Sequence, residues 1–343
     1  MTTIAHHTAD ITEHRGEEAA PPEELYLEVT NRCNLRCRTC PQFFGMAEPS
    51  HDLPWERFVQ IVEQVPGLRR VVLHGIGEPL LSPHLPRMIR HLKERGVYVL
   101  FNSNGLLLRG RRAEEIAASG LDELRVSIDG GTAETYQAVR GVDGFDRILA
   151  NLRNFARTKA RIGAESPRVS LWITGMRRNV GDLPALVRVA AASGVGDVHL
   201  QRLVFSGRGL ATEEQALYSR AEMEQRAAVA EAGRLAQELG VNLRGSGELG
   251  PEALLDHARA GDAPWRGCFR PWRLMYVTAN GNVLPCCIAP FTGVPYGGIV
   301  LGNVVHRTVA DVWNGDEYRR WRAAMLDGAP PAACAGCGVE WSL

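Results

Sequence analysis

Residues 24–40 read Glu24-Leu25-Tyr26-Leu27-Glu28-Val29-Thr30-Asn31-Arg32-Cys33-Asn34-Leu35-Arg36-Cys37-Arg38-Thr39-Cys40. Leu25, Leu27 and Val29 alternate with their neighbours, the period-two pattern of a strand with one buried face. The strand runs into a loop that carries three cysteines spaced C-x3-C-x2-C. Outward from this point the chain repeats one unit, a strand followed by a helix. Val71-Val72-Leu73, Val97 to Phe101, Leu124 to Ile128, Val169 to Ile173 and Val198 to Val204 read as further strands. Helical spacing links Trp55, Phe58, Ile61, Val62 and Val65, then Met88, Ile89 and Leu92. Ile116, the stretch around Phe145 to Thr158 and Leu183 to Ala192 continue that pattern. Successive β-then-α units predict an α/β fold with a parallel sheet and right-handed crossovers. Eight units would close a barrel of about 250 residues; six predict a partial (β/α)6 TIM-like barrel.

Three thiolates can hold three irons of a 4Fe–4S cube and leave the fourth iron open to a small molecule. The same spacing also suits half of a zinc site. The loop follows strand one, at the face where α/β barrels carry their chemistry. Nothing in the bulk composition competes with a metal reading. Of 343 residues, 45% are apolar and 23% charged, and 39 basic residues balance 39 acidic ones. That balance offers no basic groove for nucleic acid and no face for an anionic membrane. The cations are nearly all arginine, with Lys93 and Lys159 the exceptions. No apolar run reaches the roughly 18 residues of a membrane span. The first residues lack the apolar core of a signal peptide, which points to the cytoplasm. There, clustered cysteines are ligands more often than disulfides.

The cysteine loop resembles that of the radical SAM superfamily. In that family the open iron chelates S-adenosylmethionine, and an electron from the cluster releases a 5′-deoxyadenosyl radical. Later loops carry the resemblance on. Strand two ends in His74-Gly75-Ile76-Gly77-Glu78-Pro79, similar to the family's GGEP-like run, with Ile76 a departure. The resemblance implies that Gly75, Gly77 and Glu78 receive the methionine amino group. Asn102-Ser103-Asn104-Gly105 after strand three is similar to a T-N-G segment and adds Asn104. Ser127-Ile128-Asp129-Gly130 with Arg140-Gly141 resembles the S-x-D-G…R segment of the anaerobic sulfatase-maturase branch. By that likeness Ser127 and Arg140 hold the SAM carboxylate, since a planar guanidinium pairs with both oxygens. Asp129 is either part of that set or a turn residue. The family commonly has an aromatic residue before the third cysteine; here it is Thr39, which weakens the expected adenine contact.

A second set of cysteines lies near the C-terminus: Cys268, Cys286, Cys334 and Cys337, with 17 residues between the first two. Asn280-Gly281 between apolar strands signals a hairpin, and Val309 to Met325 reads as one helix. The segment Gly281 to Cys287, with Val309 to Gly315, resembles the SPASM/twitch extension of radical SAM enzymes. That likeness implies one auxiliary 4Fe–4S cluster on these four thiolates, as in the twitch of 2-deoxy-scyllo-inosamine dehydrogenase. A four-thiolate zinc knob is the alternative. Cys287 is left over: either a small apolar residue at a strand end, or a hydrogen-atom donor as in radical epimerases.

The expected organisation is a disordered tail over 1–22, a core over 23–208, a helical bridge over 209–263 and the auxiliary domain over 264–343. The twitch form and the short stretch before strand one point to a small carbohydrate or aminocyclitol substrate, oxidised or epimerised in secondary metabolism. His74, Gln201, Arg202 and Glu248 are candidates to bind its hydroxyls. Maturation of a peptide, or radical C–C coupling, is the alternative. A flavodoxin or ferredoxin is the reductant the resemblance implies.

Overall fold

A computed structural model describes residues 18–45, 47–217, 220–246, 250–256, 265, 267–335 and 337. Ten strands form one sheet, and the six expected from the sequence lie side by side at its centre. These are β1 (Glu24–Leu27), β2 (Arg70–Val72), β3 (Tyr98–Ser103), β4 (Glu123–Ser127), β5 (Arg168–Gly175) and β6 (Asp197–Arg202). Each pairs in parallel with the next, in registers such as Leu25 with Val71, Val71 with Val99 and Leu171 with Val198. The side of the sheet away from its cavities, which the helices cover, is filled by Leu25, Val71, Val99, Leu124, Leu171 and Leu200, all buried.

Helices α1 (Trp55–Glu63), α2 (Leu85–Glu94), α3 (Gly110–Ala117), α4 (Ala133–Arg140), α5 (Phe145–Ile162) and α6 (Leu183–Ala192) connect these strands. Their apolar stripes face the sheet, as Phe58, Ile61 and Val62 do on α1 and Met88, Ile89 and Leu92 on α2. Amphipathic helices of this kind are held mainly by that buried face. The N-terminus of α4 is capped by Thr132, whose hydroxyl accepts the Thr135 amide. Its C-terminus stops at Gly141 in the left-handed region, which leaves Arg140 as the last helical residue, against the cysteine loop.

Beyond β6 the stretch read as a bridge continues the alternation. Helix α7 (Met223–Leu239) packs on α6, and β7 (Asn242–Gly245) pairs in parallel with β6. At the other edge, β8 (Leu274–Val277) pairs in parallel with β1, Leu25 facing Met275. The order is therefore β10-β9-β8-β1-β2-β3-β4-β5-β6-β7, an open sheet whose ends do not meet among the described residues. The expected hairpin is present: β9 (Asn282–Leu284) runs antiparallel to β8 and is followed by β10 (Gly302–Asn303). Gly281 makes its turn at φ +82°, a backbone state that glycine adopts without strain. The hairpin of the auxiliary domain is thus an extension of the core sheet.

Two expectations are corrected. Val309 to Met325 is broken at Asn314-Gly315 into α10 (Val309–Trp313) and α11 (Asp316–Leu326); short helices α8 (Pro251–Asp256) and α9 (Arg270–Arg273) precede them. The break lets Asn314 accept the Ala19 amide at 3.0 Å and Trp313 donate to the Ala20 carbonyl at 2.7 Å. Residues 19–22, read as the end of a disordered tail, are therefore docked on the auxiliary domain. The rest of that tail lies outside the described residues.

Candidate active site

The cysteine loop is shaped by its own polar groups. Asn31 accepts the His51 amide at 2.7 Å and donates to the Pro49 carbonyl at 2.8 Å, while Gln42 donates to the Asn31 carbonyl. The Arg38 amide reaches the Val139 carbonyl on α4. The loop after β2 lies directly against this one. A Cβ on Gly77 would stand 2.0 Å from the Thr30 carbonyl oxygen, so only glycine allows the approach, and the Glu78 amide donates to the Arg32 carbonyl at 2.8 Å. Glu78 then ties this loop to the one after β3. Its buried carboxylate accepts from the Leu80 amide, the Ser103 hydroxyl and the Asn104 amide at 2.8–3.0 Å. Burial raises the Glu78 carboxyl above its usual range, against the pull of these donors. Asn104 donates to the Asn34 side chain at 2.9 Å, which closes the circuit back to the cysteine loop.

These loops surround one cavity of about 220 Å³. Cys33, Cys37 and Cys40 line it, with Gly75, Gly77, Glu78, Asn104, Ser127, Asp129 and Arg140. His74, Gln201, Arg202 and Cys287 line it as well, so β6 and the auxiliary domain share its wall. Glu248 lies outside the described residues. The cavity also has apolar walls from Leu203, Val204, Ile288 and Phe291, which no sequence motif singled out.

Arg140 is largely buried here. It pairs with Asp129 at 2.9 Å and its guanidinium is 3.7 Å from the Cys37 sulfur. Burial alone would lower its pKa, but Asp129 and Cys37 more than offset this and the group is held cationic. Asp129 also accepts the Thr174 amide at 2.8 Å, so the residue left open between ligand and turn is the partner of Arg140. His74 is held neutral, its pKa lowered to about 4 by burial and by Arg125.

The second cysteine set gathers in the C-terminal region. The sulfurs of Cys268, Cys286, Cys334 and Cys337 lie close together, and their proximity adds to the raised pKa of Cys268, Cys334 and Cys337. Burial is the larger cause throughout: it pushes Cys33 and Cys268 up to about 11 and Cys40 and Cys337 up to about 12. Ligands must be thiolates, so these buried sulfurs need bound positive charge to ionise at neutral pH. A single tetrahedral zinc requires sulfurs about 2.3 Å from one point. Among the described residues no three His, Cys, Asp or Glu side chains are placed to hold one ion. Four cysteine thiolates are also the ligand set of a 4Fe–4S cluster. Polar atoms without a partner in the first cavity, Arg140 Nε and Asn102 Oδ1, fit a bound polar ligand there.

The fold and site define an α/β iron–sulfur enzyme with a C-terminal auxiliary cluster domain. Residues 27–188 match the radical SAM superfamily, and residues 268–338 match the SPASM iron–sulfur cluster-binding domain. The chain thus carries a radical SAM domain and a SPASM domain, and with them 4Fe–4S clusters and S-adenosylmethionine as cofactors. PqqA peptide cyclase of Gluconobacter oxydans is 26% identical over 298 residues, covering 86% of this chain and 77% of the relative. AdoMet-dependent heme synthase of Methanosarcina barkeri is 26% identical over 312 residues, covering 88% and 85%. The crystal structure of Streptococcus suis SuiB bound to S-adenosylmethionine shares the fold, with a TM-score of 0.65, 17% identity and coverage of 97% and 76%. No helix among the described residues is long and apolar enough to cross a membrane.

Proposed function

We propose that this chain is a radical SAM maturase that acts on a peptide. The observation that carries the reading is its similarity to peptide cyclases, which holds over most of both chains. It favours the peptide alternative over the carbohydrate substrate expected from the twitch form and the short stretch before strand one. A small polar metabolite is the second reading, favoured by His74, Gln201 and Arg202 in the wall of the cavity.

When bound, the cluster on Cys33, Cys37 and Cys40 supplies the electron that splits S-adenosylmethionine into a radical able to take hydrogen from an unactivated C–H bond. The chain itself binds and orients. Arg140, fixed by Asp129, and Ser127 receive the carboxylate of the methionine moiety. The backbone of Gly75 and Gly77, in the wall of the cavity, receives its amino group. Glu78 and Asn104 hold the three loops in register. Cys268, Cys286, Cys334 and Cys337 hold the auxiliary cluster. Cys287 stands at the edge of the cavity as a hydrogen-atom donor. The apolar wall of Leu203, Val204, Ile288 and Phe291 keeps water from the reacting atoms.

The test is anaerobic turnover with a flavodoxin-type reductant and a precursor peptide encoded beside the gene, carrying deuterium at single residues. The reading expects label in 5′-deoxyadenosine and a mass change in the peptide. Label transfer from a sugar-like metabolite alone would overturn it.

A further inference from the structure

A second cavity of about 290 Å³ adjoins the first, between the cysteine loop and the auxiliary domain. Ile76 belongs to the wall of both cavities. This is the residue that departs from the glycine-rich pattern of its loop, and its side chain provides apolar surface where a glycine would provide none. Phe44, Leu284, Val294 and Ile299 continue the apolar lining. The exception is Glu28, 1% exposed, just after β1. Its Oε2 accepts the Tyr276 hydroxyl at 2.9 Å and its Oε1 has no hydrogen-bond partner. No cation forms an ion pair with it among the described residues. A Cβ on Gly75 would meet Glu28 Oε2 at 2.3 Å, so the chain gives up a side chain to admit this carboxyl group. The neighbouring Glu48 differs: Thr278, Asn280, Asn282 and Tyr296 all donate to it.

A buried carboxyl oxygen left unmatched is costly unless a ligand completes it. We propose that this cavity is a substrate subsite that takes an apolar, ring-sized side chain ending in a hydroxyl, which hydrogen-bonds Glu28 Oε1. Burial raises Glu28 to about 8, so near neutral pH the group is mostly uncharged and suits a neutral hydroxyl better than an ammonium. The subsite rests on the reading above, that a substrate chain reaches the radical site, because its place beside Ile76 sets a bound side chain next to that cavity. Glu28 would then select and place the substrate while Arg140 and the cysteines serve the cofactors.

The test needs no turnover. On the reconstituted full chain with S-adenosylmethionine saturating, p-cresol and toluene are titrated by calorimetry and saturation-transfer NMR. The subsite expects saturable p-cresol binding roughly fivefold tighter than toluene. Glu28→Gln keeps a hydrogen-bonding group at this position and keeps the preference; Glu28→Leu equalises the two ligands. Val294→Trp, also in the wall of this cavity, fills the space and abolishes both. Equal binding in the parent, no binding of either ligand, or p-cresol binding that survives Val294→Trp overturns the subsite. Should Glu28→Leu not fold, the parental preference and Val294→Trp still decide. Formation of 5′-deoxyadenosine, measured separately, tests the reaction, so the two readings fail independently.

Discussion

Asp129 and Arg140 meet at 2.9 Å inside the cavity, and the same guanidinium stands 3.7 Å from the sulfur of Cys37. One end of α4 is thereby fixed to the loop after β4 and to the cysteine loop. A buried pair of this kind is costly to break, because the survivor is left as an uncompensated charge. Asp129→Ala is expected to lower stability by about 3–5 kcal/mol, read from the urea midpoint. Arg140→Lys keeps the charge but loses the fork, and should weaken S-adenosylmethionine binding roughly tenfold. Unchanged affinity for the cofactor in Arg140→Lys would remove Arg140 from the binding set.

Gly77 has its neighbour at main-chain distance, not side-chain distance. The Thr30 carbonyl 2.0 Å from its ideal Cβ belongs to the loop that carries the cysteines, and backbone has little room to yield. Gly77→Ala should cost about 3 kcal/mol, the upper end for overpacking, and should shift the electronic spectrum of the first cluster. Gly67 has open space around it, so Gly67→Ala is the control and should leave both measurements near the parent.

The two cysteine sets are chemically separable. Replacing Cys33, Cys37 and Cys40 by alanine should remove about four irons per chain and reduce 5′-deoxyadenosine formation to background. Replacing Cys268, Cys286, Cys334 and Cys337 should remove a similar number and leave the spectrum of the first cluster. Iron and zinc are counted by elemental analysis after anaerobic reconstitution. One zinc with about four irons in the parent would assign the second set to a structural zinc site instead.

The central strands were legible because alternation of Leu25, Leu27 and Val29, or the run Val71-Val72-Leu73, is a local property of the chain. The cavity was legible for a related reason: in a parallel sheet the loops after successive strands converge at one face, so motifs far apart in sequence meet. The strand Asn242–Gly245 had no such signal, being short and half polar, and only pairing with β6 makes it a strand. The parallel pairing of Leu274–Val277 with β1 joins residues about 250 positions apart, and no periodicity encodes a partner at that distance. Glu28 sits where strand alternation calls for an ordinary polar residue. Its burial comes from Tyr276 and Gly75, which the fold brings to it.

Glu28 also predicts how stability responds to pH. Its folded pKa is about 8, against an unfolded value near 4.5, and burial is the main cause. An acid whose pKa is raised on folding binds its proton more tightly in the native state. Its contribution is fully present below about pH 4.5 and is lost as pH rises toward 8, at up to about 1.4 kcal/mol per pH unit. Glu28→Gln removes this dependence. Urea midpoints at pH 5.5 and 7.5 should fall with pH in the parent more steeply than in the variant; parallel slopes would show that Glu28 ionises normally.

Cys287 follows Cys286 in sequence, lines the first cavity, and lies beside the buried Tyr26. Burial pushes its pKa up to about 11, so it is a thiol with its hydrogen in place at neutral pH. The placement suits one chemical act: the S–H bond breaks, its hydrogen atom bonds to the substrate carbon radical, and a thiyl remains. One electron from the flavodoxin or ferredoxin class of reductant and one solvent proton restore the thiol. Solvent exchange makes the donated atom deuterium in D2O, so each quenched substrate gains one label at the attacked carbon. In Cys287→Ala the ratio of deuterated product to 5′-deoxyadenosine should fall at least roughly tenfold, a barrier difference of about 1.4 kcal/mol or more. Cys287→Ser tests the same step with size nearly kept, because an O–H bond is too strong to give up its hydrogen to a carbon radical at a useful rate. A parental labelling ratio in both variants would leave Cys287 as a packing residue and move the quenching step to another group.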